Sequence, residues 1–473
     1  MFCHLDTIFG VFRPWFSRTA AFHWFCIVLV GLYVRVDHEG RTSFIRWLSL
    51  APICYDALVH FFYAPSWSVD TLIPVWVSWV LATCPLRTFH GRKLLIGDGI
   101  KVAKEARKMP AVKSLHQESA NNSKQASISG HHFGVVGILA GTLHKLFCLP
   151  LQAEVHEGVD TLRPSEGLNG QPPTLVTRMA RLLLATAEAL EEPCYAVLDA
   201  YFAVGPPVLI LNEQLTDRGV QLGHLITRAK DNTGAYFEPE PGGKRFQERD
   251  QVKLMEVFDH PTCVTTPPVT RYGSPTPISY CGLDLFWKPI DAILRFVLVQ
   301  HGDQRFILMS SDLTLPPLTI LEIYTLRTKI EVLFDVLKHL LGGFCYHFWT
   351  VCQPKRQRGK PPNLSLLTET ALQQINATLT AVERFVTLAI MAVGILQYLS
   401  LTVPTQVWRG HPGWLRTYSS SFPSERIVKT VIATEFFERP RKVRCSRTFQ
   451  MIHTKKRTTP VEHPPFGKKE EKS

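Results

Sequence analysis

The chain has 473 residues, 45% of them hydrophobic, and a formal net charge of +12. That length and apolar content allow a large core spread over two or three domains, and the basic balance favours a polyanionic partner, nucleic acid being the commonest. The eleven cysteines are odd in number, scattered and without a CxxC pair, which excludes a small disulfide scaffold and points to a reducing, cytoplasmic compartment.

Residues 1–90 are rich in Trp, Phe and Leu, with helical periodicity interrupted at Asp37–Arg41, Pro52 and Pro65. They predict an all-α N-terminal domain of several short helices. A DNA-binding domain has this composition, and so does a structural cap. The apolar run Ala20–Val34 is short for a membrane span and contains His23 and Trp24, so a buried helix is expected. The N-terminus lacks a basic flank followed by a small-residue cleavage site, and no signal peptide is expected.

Lys93–Gly99 (KLLIGDG) reads as a short apolar strand that ends on Asp98. The basic stretch after it, including Lys101 and Lys104, suits contact with a phosphate backbone. A solvated loop with an Asp turn would look similar. Ser127–Ala140 and Lys145–Val155 predict two more strands, joined as a hairpin near Gly141. His131 and His132 could face the site, although a lone His near a strand is more often structural. Thr174–Leu190 predicts an amphipathic helix with Thr174 as its cap. Cys194–Ala203 (CYAVLDAYFA) predicts a buried strand that ends on a second acid, Asp199. A helix through Pro206–Gly219 then leads to a fifth strand, His224–Lys230.

Three strands, helix, strand, helix, strand, with acids ending the first and fourth strands, is the order of a ribonuclease-H-like α/β fold: a mixed sheet with flanking helices. That fold sets its first and fourth strands side by side, so Asp98 and Asp199 could share a metal. The gap to the next acid, Glu331, is too long for a simple connection and requires an insertion. Residues 231–315 predict a β-rich one, with strands at Ile278–Trp287, Ala292–Gln300 and Gln304–Ser310 and a hairpin at His301-Gly302.

Leu321–Leu341 predicts one helix of about six turns, preceded by Pro316 and Pro317 and closed by Gly342 and Gly343. Tyr324, Arg327, Glu331 and Lys338, spaced 3, 4 and 7, fall along one flank of it. A carboxylate between two cations suits a metal ligand beside anionic phosphates, and it equally suits ordinary salt bridges on a polar helix face. Cys345, His347 and Cys352 lie close together, but with no second pair they read as structural. Gln353–Pro362 (QPKRQRGKPP) reads as a basic loop against DNA. Phe385–Val403 is apolar enough for a membrane span. Its amphipathic approach from Glu369 favours a helix that becomes buried at the centre of a large domain. From Arg439 onward the tail is charged and is expected to be flexible.

The spacing Tyr-x2-Arg-x3-Glu-x6-Lys resembles the YREK signature of DDE transposases of the insertion-sequence-four type. With GDG at 97–99, LDAYFA at 198–203, LITRAK at 225–230 and SDLTL at 311–315, the likeness covers most of the chain. It implies a helical N-terminal domain at 1–90, a ribonuclease-H-like catalytic domain at 91–230 and 316–405 around the 231–315 insertion, and a basic region at 406–473. Asp98, Asp199 and Glu331 match the family's catalytic, metal-binding acids. Tyr324, Arg327 and Lys338 match residues that grip DNA near the cleaved end, with Arg228 on the LITRAK strand beside them. The implied cofactor is a pair of Mg²⁺ ions, with Mn²⁺ able to substitute. The implied partners are double-stranded DNA and a second copy of the chain, with no membrane, in the cytoplasm of a prokaryote at its nucleoid. A catalytically inactive DNA-binding relative, a nuclease that does not transpose, and a membrane-associated protein using residues 20–34 and 385–403 are the rival expectations.

Overall fold

The computed structural model describes residues 1–117, 126–165, 167–216, 219–237, 251–259, 278–356, 362–413 and 421–456. It is a mixed α/β protein built on an open, mostly antiparallel sheet of twelve strands with flanking helices.

Five helices come first: α1 (Phe2–Phe12), α2 (Thr19–Val34), α3 (Thr42–Trp47), α4 (Cys54–Tyr63) and α5 (Val69–Thr83). Next are β1 (Thr88–Phe89), β2 (Arg92–Ala103), β3 (Lys113–His116), β4 (Ser127–Thr142) and β5 (Lys145–Val155). The chain continues through α6 (Leu175–Leu190), β6 (Cys194–Val197), α7 (Gly205–Asn212) and β7 (Gly223–Arg228). The strands β8 (Gly234–Tyr236), β9 (Gln251–Lys253), β10 (Ile278–Trp287), β11 (Ala292–His301) and β12 (Gln304–Ser310) come before α8 (Pro317–Thr325) and α9 (Thr328–Asp335). The last helices are α10 (Glu369–Thr402), α11 (Pro404–Gly410), α12 (Glu425–Phe437), α13 (Pro440–Val443) and α14 (Arg447–Thr454).

The sheet runs β3-β4-β2-β6-β7-β12-β11-β10-β8-β9, with β5 on the outer side of β4. Among the described residues only β2–β6 and β6–β7 pair in parallel; the β4–β5 hairpin closes at Thr142↔Lys145. The β-rich segment 231–315 does not stand apart. Its β12 pairs with β7 through Leu308↔Arg228, so it extends the central sheet edgewise.

The expected cap of α6 is present. The Thr174 hydroxyl accepts the Thr177 N–H and the Thr177 hydroxyl accepts the Thr174 N–H, a reciprocal cap that stabilises a helix start by about 1 kcal/mol. α6 then packs against the sheet over Gly97, where a Cβ would come within 2.9 Å of Leu198 and 3.1 Å of the Met179 sulfur. A side chain there would push α6 away from β2.

α10 is the centre of the helical layer. It packs against β5 on one side and against α2, α4, α5 and α12 on the others. It is the one described helix long and apolar enough to cross a membrane, and 89% of its apolar window is already buried against protein. Arg384 on this helix is buried. Its guanidinium donates to the carbonyls of Phe62, Ala64 and Trp67, tying α10 to the end of α4 and the turn before α5.

Two expectations need correction here. The tail is not loose from Arg439 onward: residues 440–456 form α13, α14 and a bridge from Lys456 back to Leu50. Phe449 and Ile452 are buried, and Asp6 accepts the Arg447 and Thr448 N–H groups at the start of α14, a favourable place for a carboxylate. Few apolar residues sufficed because α1 and α2 supply the other half of the contact. The single helix Leu321–Leu341 is instead α8, α9 and a π turn at Val336–Leu340.

Candidate active site at the end of the parallel strands

Asp98 and Asp199 meet because of register. The parallel pairing of β2 with β6 runs from Lys93↔Cys194 to Ile96↔Val197, and each acid stands two residues beyond the last pair. Alternation then turns both side chains to the same face. β2 does not end at Asp98 as expected. On its other side it stays paired with β4 as far as Ala103↔Gly130. β6 is shorter than predicted, stopping at Val197, because Asp199 turns the chain: its carboxylate accepts the Tyr201 N–H at 3.1 Å and caps a short 3₁₀ turn over Ala200–Phe202. The Asp199 carbonyl is fixed in turn by the Thr227 hydroxyl on β7, at 2.7 Å. Thr227 was not singled out in the sequence, although the LITRAK motif contains it.

The third acid arrives from across the sheet. α8 ends at Thr325, and the chain passes through Leu326 and Arg327 with tighter bonds, Leu326 N–H to the Ile323 carbonyl and Arg327 N–H to the Tyr324 carbonyl, both 3.0 Å. Threonines flank this break: Thr325 donates to the Glu322 carbonyl and Thr328 to the Thr325 carbonyl. Such side-chain bonds compete with the regular helix ladder. The break keeps Arg327 aimed at the sheet. Its guanidinium donates to Asp98 Oδ2 at 3.1 Å and to Glu331 Oε1 at 2.6 Å. Arg327 and Asp98 are each 18% exposed, whereas Glu331 is 56% exposed and faces the opening.

The electrostatics follow from this crowding. Burial pushes the Asp98 carboxyl up to about 6, and Asp199 and Glu331 push the same way. Arg327 and the Gly99 N–H, which donates to Asp98 Oδ1 at 2.7 Å, oppose them. For Arg327, burial works against the charge but loses to Asp98, Tyr324, Glu331 and Asp199, so the guanidinium is held above its usual range. The Tyr324 hydroxyl is raised by burial and by Asp199, with Arg327 and Arg228 opposing. Tyr324, Arg327 and Arg228 therefore share the electrostatic neighbourhood of the acids. Arg228 is 41% exposed and lies 3.6 Å from Asp231. Lys338 falls in the π turn and is half-buried.

Lys104 is a correction. It does not face a DNA surface: it is 9% exposed, donates to the Phe344 and Tyr346 carbonyls at 2.6 and 3.1 Å, and lies 3.9 Å from the Tyr346 ring centre. Alternation after Asp98 turns it inward, and burial lowers its ammonium to about 8. Lys101 is half-buried and donates to the His116 carbonyl at 2.7 Å. His131 is fully buried between the Tyr346 hydroxyl (2.6 Å) and the Pro110 carbonyl (2.7 Å), and burial lowers it to about 4, so it is structural. His132 lies over Gly99, on the face of β2 opposite Asp98. Of the basic loop at 353–362, residues 357–361 lie outside the described residues.

The SDLTL motif has a structural use. Asp312, 5% exposed, accepts the Thr314 N–H and hydroxyl and the Tyr195 hydroxyl at 2.8, 2.6 and 2.9 Å. It ties β6, which leads into Asp199, to the chain entering α8, which leads on to Glu331 in α9.

The donor set at the site is carboxylate oxygen, which suits a hard divalent cation such as Mg²⁺ or Mn²⁺. An acid raised by burial and by two neighbouring acids is relieved by such a cation, so the chemistry fits. Among the described residues no three donors form a ready-made metal cage, and the Arg327 guanidinium occupies the space between Asp98 and Glu331.

No protein-family model and no curated protein matches the chain.

Proposed function

We propose that this chain is a DDE-type DNA transposase that uses Asp98, Asp199 and Glu331 to cleave phosphodiester bonds at transposon ends and to transfer the freed 3′-hydroxyl to target DNA. The observation that carries the proposal is the convergence of three acids, distant in sequence, at the end of the parallel strands β2 and β6. The strand order β5-β4-β2-β6-β7, with the first three antiparallel and the last two parallel to β2, supports a ribonuclease-H-like core.

Asp98, Asp199 and Glu331 would hold two Mg²⁺ ions, which when bound supply Lewis-acid activation of the nucleophile and charge neutralisation at the leaving oxygen. The remaining work falls to the chain itself. Arg327 and Arg228 offer guanidinium groups to the backbone phosphates beside the scissile bond, and Tyr324 offers a hydroxyl donor. Before DNA arrives, Arg327 neutralises part of the acid cluster. On binding, its fork can exchange a carboxylate for a phosphate. The proposed partners are the inverted repeats flanking the gene, target DNA and a second copy of the chain, in the cytoplasm.

The test is incubation of the purified chain with DNA carrying those flanking repeats, with and without Mg²⁺, beside variants of each acid. Metal-dependent cuts at the repeat ends, followed by joining of 3′-hydroxyl ends, support the proposal. Cuts without joining make the protein a nuclease, and repeat binding without either makes it an inactive relative.

A further inference from the structure

A second cationic site lies away from the acids, where the end of α2, the π turn after α9 and α12 meet. It is a pocket of about 370 Å³. Its walls present His38, His339, Arg426 and Lys429, against a single carboxylate, Glu438. Among the described residues neither Arg426 nor Lys429 has a carboxylate within ion-pair distance, and burial lowers the His38 imidazole, so two cations, Arg426 and Lys429, face the pocket. Lys429 is largely buried, and its ammonium donates to the Arg35 carbonyl at 2.8 Å. Arg35 itself is fully buried behind the pocket, with its guanidinium on the Leu341 and Gly342 carbonyls. Arg426 and Lys429 thus share the pocket with one carboxylate, Glu438, and neither is ion-paired to it. The rim is apolar and exposed: Phe437 is 45% and Val36 69% accessible. The size is in the range of small-molecule sites.

We infer that this pocket binds a phosphate monoester carrying a planar base, with Arg426, Lys429 and His339 on the phosphate and Phe437 against the base. Arginine and lysine suit a phosphate dianion through charge-assisted bonds, and an exposed aromatic ring beside them suits stacking. The ligand has two possible sources with the same chemistry: the 5′-phosphorylated end of a DNA strand, or a free nucleotide. The inference stands independently of the transposase reading, since none of these residues belongs to the acid site.

The test is calorimetric titration of the full chain, without divalent metal, using inorganic phosphate, deoxyadenosine monophosphate, and one short oligonucleotide with and without a 5′-phosphate. The nucleotide is expected to bind about tenfold more tightly than inorganic phosphate and to lose about tenfold in Arg426→Gln and in Lys429→Gln. Arg426 and His339 are exposed, so Arg426→Gln and His339→Gln carry the test should Lys429→Gln fail to fold. Stronger binding of the phosphorylated oligonucleotide, competed by the nucleotide, identifies a strand end. Binding of the free nucleotide alone identifies the other source. Absence of binding by both nucleotide and phosphorylated oligonucleotide, or affinity unchanged in Arg426→Gln, overturns the inference. Glu331→Gln should titrate like the wild type, so failure of DNA cleavage and failure of this pocket are separately visible.

Discussion

The guanidinium of Arg327 bridges Asp98 and Glu331, at 3.1 and 2.6 Å, and so links a strand of the sheet to the helix that crosses it. A fork is needed to reach both acids at once, and Lys cannot reproduce it. Removing it leaves Asp98, a mostly buried acid, next to two others and without its guanidinium partner.

Arg327→Ala is therefore expected to destabilise the metal-free chain at neutral pH by about 1–2 kcal/mol, less than a fully buried pair because Glu331 is half in solvent. Thermal melts in a chelator should show the loss, and added Mg²⁺ should recover much of it. An unchanged melting temperature would mean that the acids do not repel one another there.

Asp98 sets a pH dependence. Its carboxyl is raised from 3.8 to about 6 in the folded chain, so the folded state holds the proton more tightly than the unfolded one. The folded state incurs no penalty below pH 3.8, a growing one between about 4 and 6, and the full amount above, on the order of 3 kcal/mol. Asp98→Asn should flatten stability over that window in the absence of metal. Divalent-cation binding, which needs the carboxylate, should tighten as pH rises through about 6. Melts at pH 5 and 7.5, with and without Mn²⁺, measure both.

Asp98→Asn, Asp199→Asn and Glu331→Gln are each expected to lower DNA cleavage by on the order of 10³-fold or more while leaving repeat binding within a few-fold of wild type. A single-turnover cleavage assay beside a mobility-shift titration separates the two effects. Cleavage at the wild-type rate in any one variant would remove that residue from the proposed mechanism.

Asp312→Ala is expected to lower stability by about 2–3 kcal/mol, because it strands the buried Tyr195 hydroxyl and frees the Thr314 turn. Tyr195→Phe removes one bond and should cost about 1 kcal/mol. Denaturant unfolding distinguishes them. Equal losses would mean that Tyr195 carries the whole effect of Asp312.

Arg384→Met should weaken the attachment of α4 and α5 to α10, since three carbonyls lose their donor, by about 3 kcal/mol. Hydrogen exchange should then quicken in Cys54–Tyr63 before it quickens in the sheet. A uniform change across the chain would contradict this local role.

The sequence by itself determined most of the elements, though not all of their ends, because elements depend on local pattern. Alternating apolar runs made β10, β11 and β12, the Thr174 hydroxyl started α6, and apolar strands carried the chain to acids at 98 and 199. Tertiary structure decided everything that depends on a partner from elsewhere in the chain. Lys104 looked like a surface cation until the 344–346 carbonyls closed over it, and α14 gained a fold from α1 and α2 rather than from its own apolar content. The register that levels Asp98 with Asp199 was likewise set by pairing between strands 101 residues apart, Lys93↔Cys194. Periodicity reports which side of an element is apolar, but only packing fixes what that side meets.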